Sequence, residues 1–339
     1  MKERESNKKH MFRRIACLFV ALMVMGILGN GYVAPAEAKQ KKQKAEETEY
    51  KVMEEEDLLY LVDEEGEYQS GWFFKLGGRY IPFKKVKNLG LYKPNKIRIL
   101  YADSEGMLAQ DEEKGDFSFD EKGFLSDATG LCQIKKKYYL FKNGKICPSD
   151  CTYKKARYYM HLDGSVYAYR EKNKTYTPSG KKMNSLQARD VECRTYANMI
   201  LRKIIKKSMT QPEGLQKCFQ YIVHHYNYKD LVCDGKKGWT SKLGIDILRW
   251  QNGDCRGISL GFVYLATELG YKKSYLCQDS VNRYINSHCW AMINGKCYDP
   301  LFFNSKRPSR YMAVFNGSTP AQYRKKVHCY AKQKFEAGD

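Results

Sequence analysis

NGDCRGISLGFVYLATELG, residues 252–270, reads as a turn that leads straight into a helix. Gly253 supplies the turn, and Asp254 offers the side-chain oxygen of an N-cap. Ile258, Phe262, Val263, Leu265, Ala266 and Leu269 then fall on a helix that Gly270 closes. Cys255 is in the first turn. There the unpaired amide N–H groups and the positive end of the helix dipole favour a thiolate over a thiol, which makes a nucleophile at neutral pH. Of the 12 cysteines in the chain it is the only one that a turn leads directly into a long apolar run.

A nucleophilic thiol needs a base, and the chain has six histidines. His10 lies in the leader, His161 in a repeated strand unit, and His328 near the C-terminal tail. His224 and His225 end a helix, a place that favours cations for structural reasons. His288 differs. It belongs to SHCWAMINGKCYDP, residues 287–300, in which HCWAMI alternates as a strand, Asn294-Gly295 makes a two-residue hairpin turn and KCYD returns. Pairing Ile293 with Lys296 sets Asp299 beside Trp290 or Ala291, close along the sheet to His288. Alternation puts His288, Trp290 and Met292 on one face and Cys289 on the other. Asp299 is thereby placed to accept a hydrogen bond from His288 and hold its tautomer. Trp290 reads as a core residue.

Two helices precede this region: ARDVECRTYANMILRKIIKKSM, residues 188–209, with a basic outer face, and PEGLQKCFQYIVHHY, residues 212–226, with Pro and Glu in its first turn. GDC at 253–255, HCW at 288–290 and YDP at 298–300, in this order, resemble the transglutaminase-like superfamily of papain-like cysteine enzymes. YIVHHYNYKD, residues 221–230, is similar to the helix and extended stretch that precede the thiol in that family. The resemblance covers about residues 212–303, roughly a quarter of the chain. It implies an α+β papain-like fold, helices packed on an antiparallel sheet, in which Cys255 attacks an amide carbonyl and His288 acts as base and then acid. Asp299 orients His288, and water or an amine releases the acyl-enzyme. The backbone N–H of Cys255 would contribute to an oxyanion hole, with Trp239 or Gln251 as a second donor. The resemblance implies no cofactor and no metal, and it leaves open whether the outcome is hydrolysis or acyl transfer. Binding or scaffolding by an inactive domain of the same fold, or adhesion by a disulfide-laced one with Cys255 in a bridge, are the alternatives.

The section from 57 to 183 repeats a theme: LLYLVDEEGEY, ILYADSEGML, FSFDEKGFL, YYLFKNGKI, YYMHLDGSV. Each unit is an aromatic or aliphatic strand, a polar pair with glycine, and a short second strand, the signature of a β-hairpin. Gly66, Gly106, Gly123, Gly144 and Gly164 set a period of about 20 residues, which predicts a solenoid of stacked hairpins. SGWFFKLGGRYIPF, residues 70–83, resembles the cell-wall-binding or choline-binding repeats of Gram-positive surface proteins. That resemblance implies attachment to a wall polymer or glycan. Choline itself is not expected, because aromatic cages for it are rich in Trp and only Trp72 stands in this section.

At the N-terminus, six basic residues flank or precede IACLFVALMVMGILG, residues 15–29, and Ala36-Glu37-Ala38 follows as a cleavage site. The segment reads as a secretory signal, with an uncleaved single-span anchor as the competing reading. The organisation expected is therefore a signal at 1–38, a charged disordered tether at 39–56, hairpin repeats at 57–183 and a transglutaminase-like domain at 184–339, in a secreted or wall-associated protein with no stable membrane span after cleavage. The formal charge of +21 becomes +18 without the leader's six basic and three acidic residues. With no helix-turn-helix, zinc-finger or RNA-sheet signature, nucleic acid is not expected, and an anionic wall surface or a solvated basic exterior accounts for the charge. Eleven cysteines remain after the leader, an odd number, and no C-x-x-C pair suggests zinc. Expected partners are a protein or peptide substrate, peptidoglycan peptides included, and a wall polymer.

Overall fold

The computed structural model describes residues 48–229, 238–279, 289–303 and 327–331. The leader and the first part of the tether lie outside them. The described residues open with antiparallel hairpins. β1 (Tyr50–Glu55) pairs with β2 (Leu58–Asp63); β3 (Gly71–Leu76) lies between β4 (Arg79–Pro82) and β5 (Ile97–Ala102); β7 (Phe117–Phe119) lies between β6 (Glu113–Lys114) and β8 (Leu125–Asp127). A seven-stranded sheet follows, made of β9 (Gly130–Ile134), β10 (Lys137–Lys142), β11 (Lys145–Ile146), β12 (Cys151–Tyr153), β13 (Ala156–Met160), β14 (Val166–Glu171) and β15 (Lys174–Tyr176).

Two kinds of turn build these hairpins. One has two central residues at positive φ, as in Glu56-Asp57, Gly77-Gly78, Lys154-Lys155 and Lys172-Asn173, the handedness that matches the twist of the flanking strands. The other is Asp-x-x-Gly. The carbonyls of Asp63, Asp103 and Asp120 accept the amides of Gly66, Gly106 and Gly123 at 3.1, 3.3 and 2.8 Å. Each carboxylate also takes the amides two and four residues on. The glycines read from the sequence as the repeat markers all have positive φ, between 68° and 86°. All but Gly66 also admit a close neighbour: a Cβ on Gly144 would stand 2.1 Å from the carbonyl oxygen of Ser126.

Tyr50–Glu55, expected to end the disordered tether, is instead β1. Tyr50 and Val52 alternate with exposed charges and pack against a cluster of Leu61, Phe73 and Leu100, with the Tyr50 and Phe73 rings edge-on at 5.3 Å. Two apolar side chains suffice because β2 is waiting as a partner strand.

Helices follow: α1 (Ser185–Ile204), α2 (Gln211–His225), α3 (Trp239–Trp250) and α4 (Cys255–Glu268). α1 and α2 start at capping boxes, Asn184 with Gln187 and Thr210 with Glu213. α1 therefore begins three residues earlier than the apolar spacing suggested, and it ends at Ile204, five residues sooner. α3 went unread in the sequence. Two short strands, β16 (Asn227–Tyr228) and β17 (Asn252–Gly253), pair in parallel. An antiparallel sheet in the order β20-β19-β18-β21 closes the structure, from β18 (Ser274–Asp279), β19 (Cys289–Ile293), β20 (Lys296–Tyr298) and β21 (Val327–Ala331). A short α5 (Pro300–Phe303) follows β20. Helix α4 is the centre: Leu260, Phe262, Val263, Leu265 and Ala266 are fully buried between α1 to α3 on one side and β18 and β19 on the other. Each such large side chain contributes about 1.5–3 kcal/mol relative to exposure. Among the described residues no helix is long and apolar enough to cross a membrane.

A polar network joins the hairpins to the helices. The buried carboxylate of Glu268 meets His161 Nδ1 at 2.6 Å, Asn198 Nδ2 at 2.9 Å and Arg194 Nε at 3.5 Å. Arg194 also pairs with Asp190, which accepts the Tyr264 hydroxyl, while Tyr167 bonds Thr195 and Arg202 donates to the Met160 carbonyl. Gly144→Ala should lower the unfolding free energy by more than Gly77→Ala in urea titrations. Both incur a left-handed penalty of about 1–2 kcal/mol, but only at Gly144 does the new methyl also collide with backbone, since nothing lies within 4 Å of a Cβ at Gly77.

Candidate active site

Cys255 is the first residue of α4 and is half-buried. The Asp254 carboxylate caps the helix by accepting the Gly257 amide at 3.0 Å, as the sequence led us to expect. That buried carboxylate beside a thiol would oppose a thiolate, but Arg256 Nε donates to its other oxygen at 2.8 Å and offsets its charge. The turn before Cys255 is strapped from upstream. Asn227 and Lys229 donate their amides to the Gln251 and Gly253 carbonyls at 2.9 and 3.1 Å, so the extended stretch after α2 fixes where the thiol sits.

The hairpin of β19 and β20 has the register read from the sequence, with Ile293 opposite Lys296, Ala291 opposite Tyr298, and Asn294 and Gly295 both at positive φ. Cys289, Ala291 and Ile293 face α4. Trp290 and Met292 pack on the other face with Cys277 and Cys297, so Trp290 is a core residue. Cys289 reaches Cys255: the two thiols are hydrogen-bonded, and this contact, with burial, pushes the Cys289 thiol well above its ordinary pKa. Ser259, one turn along α4, donates its hydroxyl to the Cys289 carbonyl at 3.1 Å. Sequence alternation had separated Cys289 from Trp290 correctly, but only the packing of β19 on α4 shows that its side is the thiol's side.

Asp299 is fully buried at the end of β20, where Oδ1 accepts the Leu301 amide at 3.2 Å and caps α5, which packs on α2 and α4. His288 lies outside the described residues, as do Cys233 and the tail beyond Ala331. Of the two further donors proposed from the sequence, Trp239 packs against the helical core, and Gln251 caps α3 with its side chain hydrogen-bonded to Tyr221. His225 Nδ1 donates to the Tyr221 carbonyl within its own helix, 3.0 Å away.

A second cysteine pair lies in the hairpin region. The Cys151 thiol donates to Cys147 and, with the Lys142 charge helping against burial, lowers Cys147 to about 7. Cys151 moves up in return. Here a neighbouring thiol, rather than a helix start, favours the thiolate.

No family model matches the chain, and no curated protein matches it. Among solved structures it is similar to a multimodular pneumococcal cell-wall endolysin from phage Cp-1 complexed with choline, at 14% identity over 43% of this chain and 40% of that one, TM-score 0.17. It is also similar to CbpJ from Streptococcus pneumoniae, at 16% identity over 39% and 47%, TM-score 0.15. Choline-binding protein F from Streptococcus pneumoniae gives 14% identity over 39% and 47%, TM-score 0.15. The chain spans less than half the length of each of these. Likenesses at such TM-scores carry no argument, and the repeat architecture stands on the hairpins and turns described above.

Asp254→Ala should cost about 1–2 kcal/mol of stability in urea titration through the lost cap, whereas Asp254→Asn, which keeps an acceptor for Gly257, should cost less. In the reduced protein, alkylation of Cys147 should have its midpoint near pH 7, below the ordinary 9 of a thiol. Cys151→Ala should shift that midpoint upward, because the hydrogen bond that favours the thiolate is gone.

Proposed function

We propose that the chain is an exported, cell-surface cysteine hydrolase or acyltransferase that acts on amide bonds of protein or peptidoglycan peptides. Cys255 is the nucleophile, His288 the base and then the acid, and Asp299 the carboxylate that orients His288. The observation that carries this reading is the contact between Cys255 and Cys289, because Cys289 is the residue after His288 in the chain. The first turn of α4 and the start of β19 therefore meet, and a hairpin of fixed register leads from there to a buried Asp299.

In the proposed reaction His288 takes the Cys255 proton, and the thiolate attacks the carbonyl carbon. The oxyanion is met by amide N–H groups of the first turn of α4, and His288 returns the proton to the leaving amine. Water or a second amine then attacks the thioester, and the acyl group leaves.

The enzyme works outside the cell, held to a wall polymer by its hairpin region. Tyr158, Tyr169 and Tyr176 stand opposite one another on β13, β14 and β15, half-exposed, with rings stacked at 5.4 and 5.1 Å. A flat aromatic ladder of this kind suits sugar rings. Trp72 packs against Tyr101 and Phe117, and Lys75, Arg98 and Lys114 already lie over the Tyr80, Phe124 and Tyr101 rings. Those faces hold the chain's own cations, which favours a glycan over choline as the ligand.

At neutral pH, iodoacetamide should modify Cys255 about tenfold faster or more than it does in the denatured chain. The reading must be made peptide by peptide, since Cys147 competes. His288→Ala should remove that advantage. Incorporation of a fluorescent primary amine into casein, and hydrolysis of a peptidoglycan stem peptide, are the turnover probes; His288→Ala and Asp299→Asn should each cut whichever is observed by about 10²-fold or more, and Cys255→Ala should abolish it. A Cys255 that reacts no faster than a denatured cysteine, and is indifferent to His288→Ala, ends the enzyme reading and leaves a binding or scaffold protein.

A further inference from the structure

The side chain that walls Cys255 is itself a thiol. Cys289 opens β19 against the first turn of α4, anchored by the Ser259 hydroxyl on its carbonyl at 3.1 Å, and the two thiols are hydrogen-bonded. They come from different elements, 34 positions apart in the sequence. Their exposures differ as well: Cys289 is 1% exposed, whereas Cys255 is only half-buried at the helix end. A hydrogen bond between the thiols already brings the two sulfurs together, and a disulfide joins them at about 2 Å.

We propose that Cys255 and Cys289 form a reversible disulfide that switches off the Cys255 nucleophile. The bond rests on the observed contact alone; its consequence for activity rests on the catalytic reading above. An exported chain leaves the thiol-reducing interior, so small-molecule and protein disulfides outside are the oxidants it meets. The Cys255 thiolate attacks one sulfur of such a disulfide, RSSR, forming Cys255–S–S–R and releasing RS⁻. Cys289 then gives up its proton and attacks the Cys255 sulfur, forming the internal bond and releasing the second RS⁻. Two protein thiols are oxidised by two electrons, and one RSSR becomes two RSH. The order follows from exposure: the reagent reaches Cys255 and not the buried Cys289, which is the resolving thiol. Reduction by an external thiol runs the same steps backwards and restores the nucleophile.

The reduced full chain is incubated with excess oxidised glutathione at mildly alkaline pH, quenched with acid, alkylated and mapped by mass spectrometry. The expected main product is the linked Cys255–Cys289 peptide, with Cys255 alkylation down at least tenfold and recovered by dithiothreitol. Cys289→Ser and Cys289→Ala, checked for folding by circular dichroism and melting, should instead stop as a mixed glutathione disulfide on Cys255. The Cys147–Cys151 contact serves as an internal control, since its oxidation leaves the Cys255 peptide unchanged. A wild-type chain that also stops at the mixed disulfide, or whose Cys255 stays alkylatable, overturns the proposal. The linked peptide is scored by mass, so a reduced chain without amide turnover sinks the catalytic reading while the disulfide stands. An active reduced chain that yields no linked peptide does the reverse.

Discussion

The burial of α4 is the constraint on which the rest depends. A helix covered on every side by α1 to α3 and by β18 and β19 can present chemistry only at its ends, and of its 14 residues only Cys255, Arg256 and Thr267 keep any real access to solvent. The cap energy at Asp254, about 1 kcal/mol, is small beside the burial of the fully enclosed Leu260, Phe262, Val263 and Leu265 at about 1.5–3 kcal/mol each. Packing therefore sets where the helix lies, and the cap sets where it starts. The thiol's position is inherited from both, and neither needs Cys255 itself, so its side chain is free to be chosen for chemistry.

The site was legible in the sequence where local rules decide it. Asp254 as cap, Gly270 as terminator and the Asn294-Gly295 register all follow from turn and cap chemistry confined to a few residues, and all three are found. What could not be read was which face of β19 meets α4, because alternation separates two faces without saying which is inward. Trp290, the larger side chain, lies in a small cluster away from the helix, and the smaller Cys289 fits against it. α3 was missed for a related reason: its start follows a glycine at φ 85° and carries no side-chain cap, so no start signal marks it.

In the hairpin region the same logic runs in the opposite direction. The repeat glycines were visible because each turn demands a positive φ, and the aspartates three residues before Gly66, Gly106 and Gly123 complete a turn that needs no contact elsewhere. The tether was misread because β1 is stabilised by its partner strand rather than by its own composition. Charged residues on either side of the apolar ones, Lys51 and Glu54 among them, look like a solvated linker until Leu61 and Phe73 cover Tyr50 and Val52.

The two ends of α4 divide labour. The N-terminus carries Cys255, and the C-terminus carries Glu268, a negative charge at the end where the helix dipole opposes it. Such a carboxylate, buried, survives only because His161, Asn198 and Arg194 surround it, and His161 comes from the hairpin region. The strain of placing an acid there is thus relieved by docking the repeats. A helix of this length holds Cys255 about 20 Å from that junction. The distance of Cys255 from the docked hairpins is thus set by a buried helix rather than by a linker.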